Sequence, residues 1–106
     1  MLTFEEFKKM ELKIATIKEV LDHPDADKLY VVKIDVGGEE KQIVAGIKFK
    51  YEKEELVGKQ VVVVNNLAPV VLRGVESQGM MLAASDKNTL AVLCPDRLVD
   101  NGSLVK

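Results

Sequence analysis

A chain of 106 residues with 15 Lys+Arg, 17 Asp+Glu and a formal net charge of -2 is the size of one domain, burying roughly two-thirds of the surface its unfolded form exposes. That balance counts against binding nucleic acid through bulk charge alone, because domains that do so are usually strongly basic, and it leaves room for a small positive face. A single cysteine, Cys94, excludes an internal disulfide and suits a reducing compartment.

The chain opens on a short capped helix. Thr3 stands three residues before Glu6, the capping-box spacing, and Leu2 and Phe7 sit where a hydrophobic staple would. Phe4, Phe7 and Met10 recur every three residues, an apolar stripe on a piece too short to be stable alone. Residues 1–10 must therefore dock, on their own core or on a second chain. No basic region followed by an apolar run marks a secretory signal here, and no stretch approaches the roughly 20 apolar residues that span a bilayer. A soluble, cytoplasmic protein without a membrane partner is expected.

Leu12 to Val20 alternates as a strand does, and Asp22 to Lys28 is a run of turn formers. In the strand Leu29 to Val36 the alternation sends Tyr30, Val32, Ile34 and Val36 to the core and Leu29, Val31, Lys33 and Asp35 outward. Gly37-Gly38 marks a two-residue hairpin turn into a third strand, Glu40 to Ile47. Tyr51 to Val57 reads as a short helix that Gly58 ends. Val61 to Val64 is a buried strand, Met80 to Ala84 another, and Thr89 to Cys94 a third after the turn Asp86-Lys87-Asn88. The tail, residues 95–106, carries Leu98, Val99, Leu104 and Val105. Nothing divides the chain, so 1–106 is read as one domain.

The connection from Asn65 to Gly79 stands out. It holds Pro69, Gly74 and Gly79, and Arg73 is the only cation between Gln60 and Asp86. A connection that long in so small a domain is more often functional than idle. Three strands, a short helix and further strands indicate an all-β fold, a five-stranded Greek-key barrel of the OB type with an N-terminal helix, a helix between strands 3 and 4, and a C-terminal extension. Such barrels hold ligands across the second and third strands, flanked by the first-to-second and fourth-to-fifth loops. Those are the places of the two most distinctive stretches, His23 to Lys28 and Asn65 to Gly79.

Three pieces carry a family resemblance: His23-Pro24-Asp25-Ala26-Asp27-Lys28-Leu29, Gln42-Ile43-Val44-Ala45-Gly46-Ile47, and Leu72-Arg73-Gly74-Val75-Glu76-Ser77-Gln78-Gly79-Met80. With their spacing they cover most of residues 11 to 95, and the chain resembles the tRNA-binding domains found as free-standing bacterial proteins, as the C-terminal extension or beta subunit of methionyl-tRNA synthetase, and in the cytokine-like cofactors of synthetase complexes. The resemblance implies an OB barrel that binds the outer corner of tRNA by shape. It also implies a homodimer built from N- and C-terminal elements, here residues 1–10 and 95–106, and the catalytic subunit of methionyl-tRNA synthetase as a further partner. Carried over residue by residue, it points to Ser77 and Met80, with Asn66 and Arg73 beside them, Lys33 on the sheet and Lys28 in the first loop. Many relatives have basic residues around the proline where this chain has Ala68, Val70 and Val71.

Composition agrees with that ligand. Single strands are usually held by stacking bases on aromatic side chains, and aromatics are only 5% here with no Trp. Folded RNA recognised through phosphates and 2′-hydroxyls needs no such platform. Catalysis, cofactor and metal are not expected. His23, the sole histidine, is read as an exposed residue of an acidic turn and Cys94 as a small buried hydrophobe; together they cannot build an ordinary zinc site. Asp22, Asp25 and Asp27 alternate as a calcium loop opens, but Pro24 intervenes and no glutamate follows at the needed spacing. A different class of function, a protein-binding dimer like the secretion chaperones that share this barrel, finds its support in the apolar run Val70-Val71-Leu72.

Overall fold

In a computed structural model describing residues 1–106, Thr3 caps the first helix, α1 (Phe4–Phe7), as its spacing to Glu6 demands. The Thr3 hydroxyl accepts from the Glu6 N–H at 3.2 Å, and the Glu6 carboxylate accepts from the Thr3 N–H at 3.1 Å. The strands β1 (Leu12–Asp22), β2 (Tyr30–Asp35) and β3 (Glu40–Ala45) follow, then α2 (Lys53–Leu56) and β4 (Gln60–Val64). Beyond them come β5 (Val70–Leu72), β6 (Val75–Ser77), β7 (Met80–Met81), β8 (Ala83–Ser85), β9 (Leu90–Val92) and β10 (Leu104–Val105).

The main sheet runs β3-β2-β1-β4-β7, antiparallel throughout. A bulge in β1 between Ile17 and Glu19 bends it, and β7 returns against β3. The sheet thus curls into a half-barrel, in keeping with the all-β barrel class expected, with α2 between β3 and β4 as predicted. Gly37 and Gly38, at φ 76° and 90°, make the two-residue turn between β2 and β3, where a turn with both residues at positive φ matches the right-handed twist of the strands it joins.

The strand alternation sorts the core. Tyr30, Val32, Ile34 and Val36 all lie in the main cluster with Ile17, Ile43, Val61 and Val63. The valine strand is buried on both faces because Val62 and Val64 join Leu12 and Ile14 in a second cluster under the tail. Residues 99–103 are clamped to the barrel: the Gly102 N–H donates to the Ile14 carbonyl at 2.7 Å, and the Gln60 amide exchanges bonds with the Val99 backbone at 2.6 and 3.2 Å. No helix is long and apolar enough to cross a membrane.

Some expectations give way. The strand read from Met80 to Ala84 breaks at Leu82, whose N–H stays with β4 at the Val62 carbonyl while its own carbonyl accepts from Leu93. There the chain leaves the barrel for the β8–β9 hairpin, which the Asp86 carboxylate closes by accepting from the Asn88 and Thr89 N–H groups at 2.9 and 2.8 Å. Cys94 is exposed, not buried, because β9 ends at Val92 and the chain turns out of the core. Val31, placed outward by alternation, is buried all the same.

Candidate nucleic-acid interface

The connection from Asn65 to Gly79 contains a hairpin of its own. β5 and β6 pair Val70 with Ser77, Val71 with Glu76 and Leu72 with Val75, and the turn between them is Arg73 at φ 52° and Gly74 at φ 88°. Both turn residues are left-handed, the arrangement that usually takes Asn-Gly. An arginine in the first seat forces its Cβ against the backbone at a cost of about 1–2 kcal/mol. Arg73 is the one non-glycine residue with positive φ. Strain of this kind, held at an exposed tip, points to a job for the side chain.

The hairpin docks through β6 on β3. The buried Ser77 hydroxyl accepts from the Val44 N–H at 2.9 Å and donates to the Gly79 carbonyl at 3.0 Å. Gln42 and Gln78 bond reciprocally: the Gln42 N–H donates to the Gln78 side-chain oxygen at 2.9 Å, and the Gln78 N–H donates to the Gln42 carbonyl at 2.8 Å. The Gln42 amide also donates to the Glu76 carbonyl at 2.8 Å. Gly79 is obligatory, since a Cβ there would meet the Val64 carbonyl at 2.8 Å. The free edge of β3 is thus taken up by the protein's own hairpin.

His23, expected exposed, is 5% exposed. Its Nδ1 accepts from the Asp25 N–H at 2.9 Å, so its proton sits on Nε2, which donates to the Leu72 carbonyl at 2.9 Å. Beside it, Arg73 Nη2 donates to the Asp25 carbonyl at 3.1 Å. The acidic turn and the hairpin tip therefore border one cleft, about 500 Å³, lined by Asp25, Ala26, Asp27, Lys28, Leu29 and Arg73. Arg73 and Lys28 are exposed there. No ion pair takes up Lys28, Lys33 or Arg73, whereas Lys48 and Lys53 both pair with Asp22 at 3.2 Å. The Lys53 and Lys48 bonds, in that order, hold the Asp22 carboxyl below the usual carboxylate range.

The structure thus brings Lys28 and Arg73 together and distributes the other expected contacts. Lys33 is half-buried on a polar shelf, its ammonium donating to the Gln42 side chain. Met80 is half-exposed at the mouth of an apolar groove of about 440 Å³ shared with Val44, Leu67, Val70 and Leu72. Ser77 is 2% exposed, and its hydroxyl is occupied inside the hairpin seam. Asn66 faces away from the cleft toward the N-terminal segment, accepting from the Glu11 N–H at 2.9 Å and donating to the Lys9 carbonyl at 2.8 Å. The polar atoms of Ser77 and Asn66 are taken up in holding neighbouring segments in place. Sequence reasoning passed over Gln42, Gln78 and the bridging role of His23. Both glutamines lie within the stretches that carry the resemblance, and His23 had a local signal, an imidazole two residues before a turn amide.

The curled β-sheet thus carries a self-docked hairpin with Arg73 and Lys28, outside any ion pair, at its rim. Residues 12–104 match the family described as "Putative tRNA binding domain", and the chain belongs to that family. It is 56% identical over 105 residues to methionine–tRNA ligase of Pyrococcus furiosus, covering 99% of this chain and 14% of that protein. Against methionine–tRNA ligase of Methanococcus aeolicus it is 46% identical, covering 99% and 16%. The chain therefore spans about a seventh of these relatives' length, and their ligase chemistry belongs mostly to sequence outside the matched part. Among solved structures, a MetRS-related protein from Pyrococcus horikoshii superposes with a TM-score of 0.93 at 33% identity, covering 100% and 98% of the two chains. The chaperone CsaA from Bacillus anthracis superposes with 0.89 at 29% identity, covering 100% and 99%.

Proposed function

We propose that this chain is a structure-specific tRNA-binding module that holds the outer corner of tRNA for a methionyl-tRNA synthetase, as its accessory subunit or as a free-standing cytoplasmic homodimer. The observation that carries this reading is Arg73, strained into a left-handed turn and aimed into the same cleft as Lys28 with no acidic partner for either. The resemblance to methionine–tRNA ligases over nearly the whole chain supports the choice of ligand. Binding is the role; the module raises the local concentration of tRNA at a catalytic partner. His23, Ser77 and the glutamines position, while Arg73 and Lys28 contact phosphate, with Lys33 and Met80 on the flanks.

Dimerisation through the chain ends fits the same reading. Leu2, Phe4 and Met10 are exposed on and around α1, and a groove of about 410 Å³ separates Phe4, Phe7 and Met10 from Leu104 and Val105 of the tail. A second copy covering it would double the cations offered to one tRNA. Titration with purified tRNA at several salt concentrations tests the proposal: affinity should fall linearly in log–log terms as counterions are released, and absence of tRNA binding at low salt would end it.

A second reading has one observation in its favour. Leu67, Val70, Val71, Leu72 and Met80 are all substantially exposed around the apolar groove, a surface able to take an extended apolar peptide, and the fold is shared with the chaperone CsaA. Suppression of aggregation that added tRNA leaves unchanged would favour this chaperone role.

A further inference from the structure

We infer that His23 is the positioning residue that sets Arg73 for RNA, a latch between the two loops of the cleft. The hairpin's attachments to the barrel are unequal. β6 is tied to β3 by the Ser77, Gln42 and Gln78 bonds. Across the gap to the first loop, the tip is held by the imidazole on the Leu72 carbonyl and by the Arg73 guanidinium on the Asp25 carbonyl. The second of these is a contact of the RNA-binding side chain itself, through one of its five donors. The His23–Leu72 bond is the one that makes no use of that side chain, so it keeps the tip against the first loop whichever way the guanidinium turns. The imidazole is suited to it. Buried, with its Nδ1 committed to the Asp25 N–H, it has one tautomer and one orientation, so its donor points at the residue directly preceding Arg73.

The assignment rests on RNA contact by Arg73, and the test separates the two. Asparagine at 23 keeps an acceptor near Nδ1 for the Asp25 N–H and loses the reach to Leu72; glutamine keeps a donor near Nε2. His23→Asn should raise the tRNA dissociation constant about fivefold, the equivalent of about 1 kcal/mol for one hydrogen bond, and should flatten the salt dependence toward that of Arg73→Ala. His23→Gln should stay within about twofold of the parent. In a double-mutant cycle, His23→Asn should add almost nothing once Arg73 is alanine, since a latch that only delivers Arg73 has nothing left to deliver. Losses that add across the two sites would assign His23 a general structural role and overturn the inference.

Two readouts need no RNA. Amide exchange at residues 72 to 75 should quicken in His23→Asn and not in His23→Gln, with the amides of β2 and β4 unchanged; equal protection in both variants overturns the latch. In the unmodified protein, the imidazole ¹⁵N spectrum should report a protonated Nε2 and a bare Nδ1, and the opposite tautomer would overturn it without any substitution. If Arg73→Ala leaves tRNA affinity untouched, the RNA reading fails while these two measurements still decide the latch.

Discussion

Replacing Arg73 with asparagine should separate binding from stability. Asparagine tolerates the left-handed conformation that Arg73 holds at φ 52°, so the substitution returns about 1 kcal/mol of backbone strain. It removes one exposed hydrogen bond to the Asp25 carbonyl, worth about 0.5–1 kcal/mol. The two nearly cancel, and the midpoint of urea unfolding should stay within about 1 kcal/mol of the parent, with an unchanged slope. Binding should respond quite differently. Loss of a charge-assisted phosphate contact should weaken tRNA affinity by roughly tenfold, the equivalent of about 1.4 kcal/mol, and reduce the log–log salt slope by about one. A variant that loses more than about 2 kcal/mol of stability yet binds tRNA as before would refute the reasoning, because Arg73 would then be a structural residue.

Other perturbations test the scaffold around that tip. Ser77→Ala strands the buried Val44 N–H and should destabilise by about 1–3 kcal/mol in urea unfolding; a neutral result would mean the seam does not hold the hairpin. Because the Asp22 carboxyl lies below its ordinary range in the folded protein, the stability it contributes is present above the unfolded-state value near about 3.9 and is lost as pH falls through the folded value. Asp22→Asn should therefore differ most from the parent at neutral pH and converge with it in acid, as chemical denaturation across pH would reveal. Phe4→Asp with Phe7→Asp should leave a folded monomer by sedimentation that binds tRNA more weakly; an unchanged oligomeric state would remove the chain ends from the interface.

Local rules made much of this molecule legible before any coordinates. The Thr3–Glu6 capping box, the Gly37-Gly38 turn and the inward set Tyr30, Val32, Ile34 and Val36 follow from spacing alone, and the structure holds each of them. The contiguity of the acidic turn and the Arg73 segment followed from barrel geometry. What escaped is long-range. The hairpin at Arg73-Gly74 lies hidden because arginine is a poor turn residue, and its presence there reads as a loop until function explains it. Val31 points outward by alternation, yet it is buried. Ser77 and Asn66 sit in matching motif positions, but which atoms their short polar groups meet is decided 33 and 55 residues away in the chain, at Val44 and Glu11. His23 went astray for the same reason: its partner, Leu72, is 49 residues downstream.

Recognition of folded RNA by a small set of unpaired cations at the Arg73 cleft is the central proposal. Competition at moderate salt between native tRNA and the same RNA denatured is the most direct test. Native tRNA should displace a labelled tRNA probe at far lower concentration than the unfolded form, with that preference lost in Arg73→Ala. Equal competition by both forms, or a preference that survives removal of the guanidinium, would contradict it.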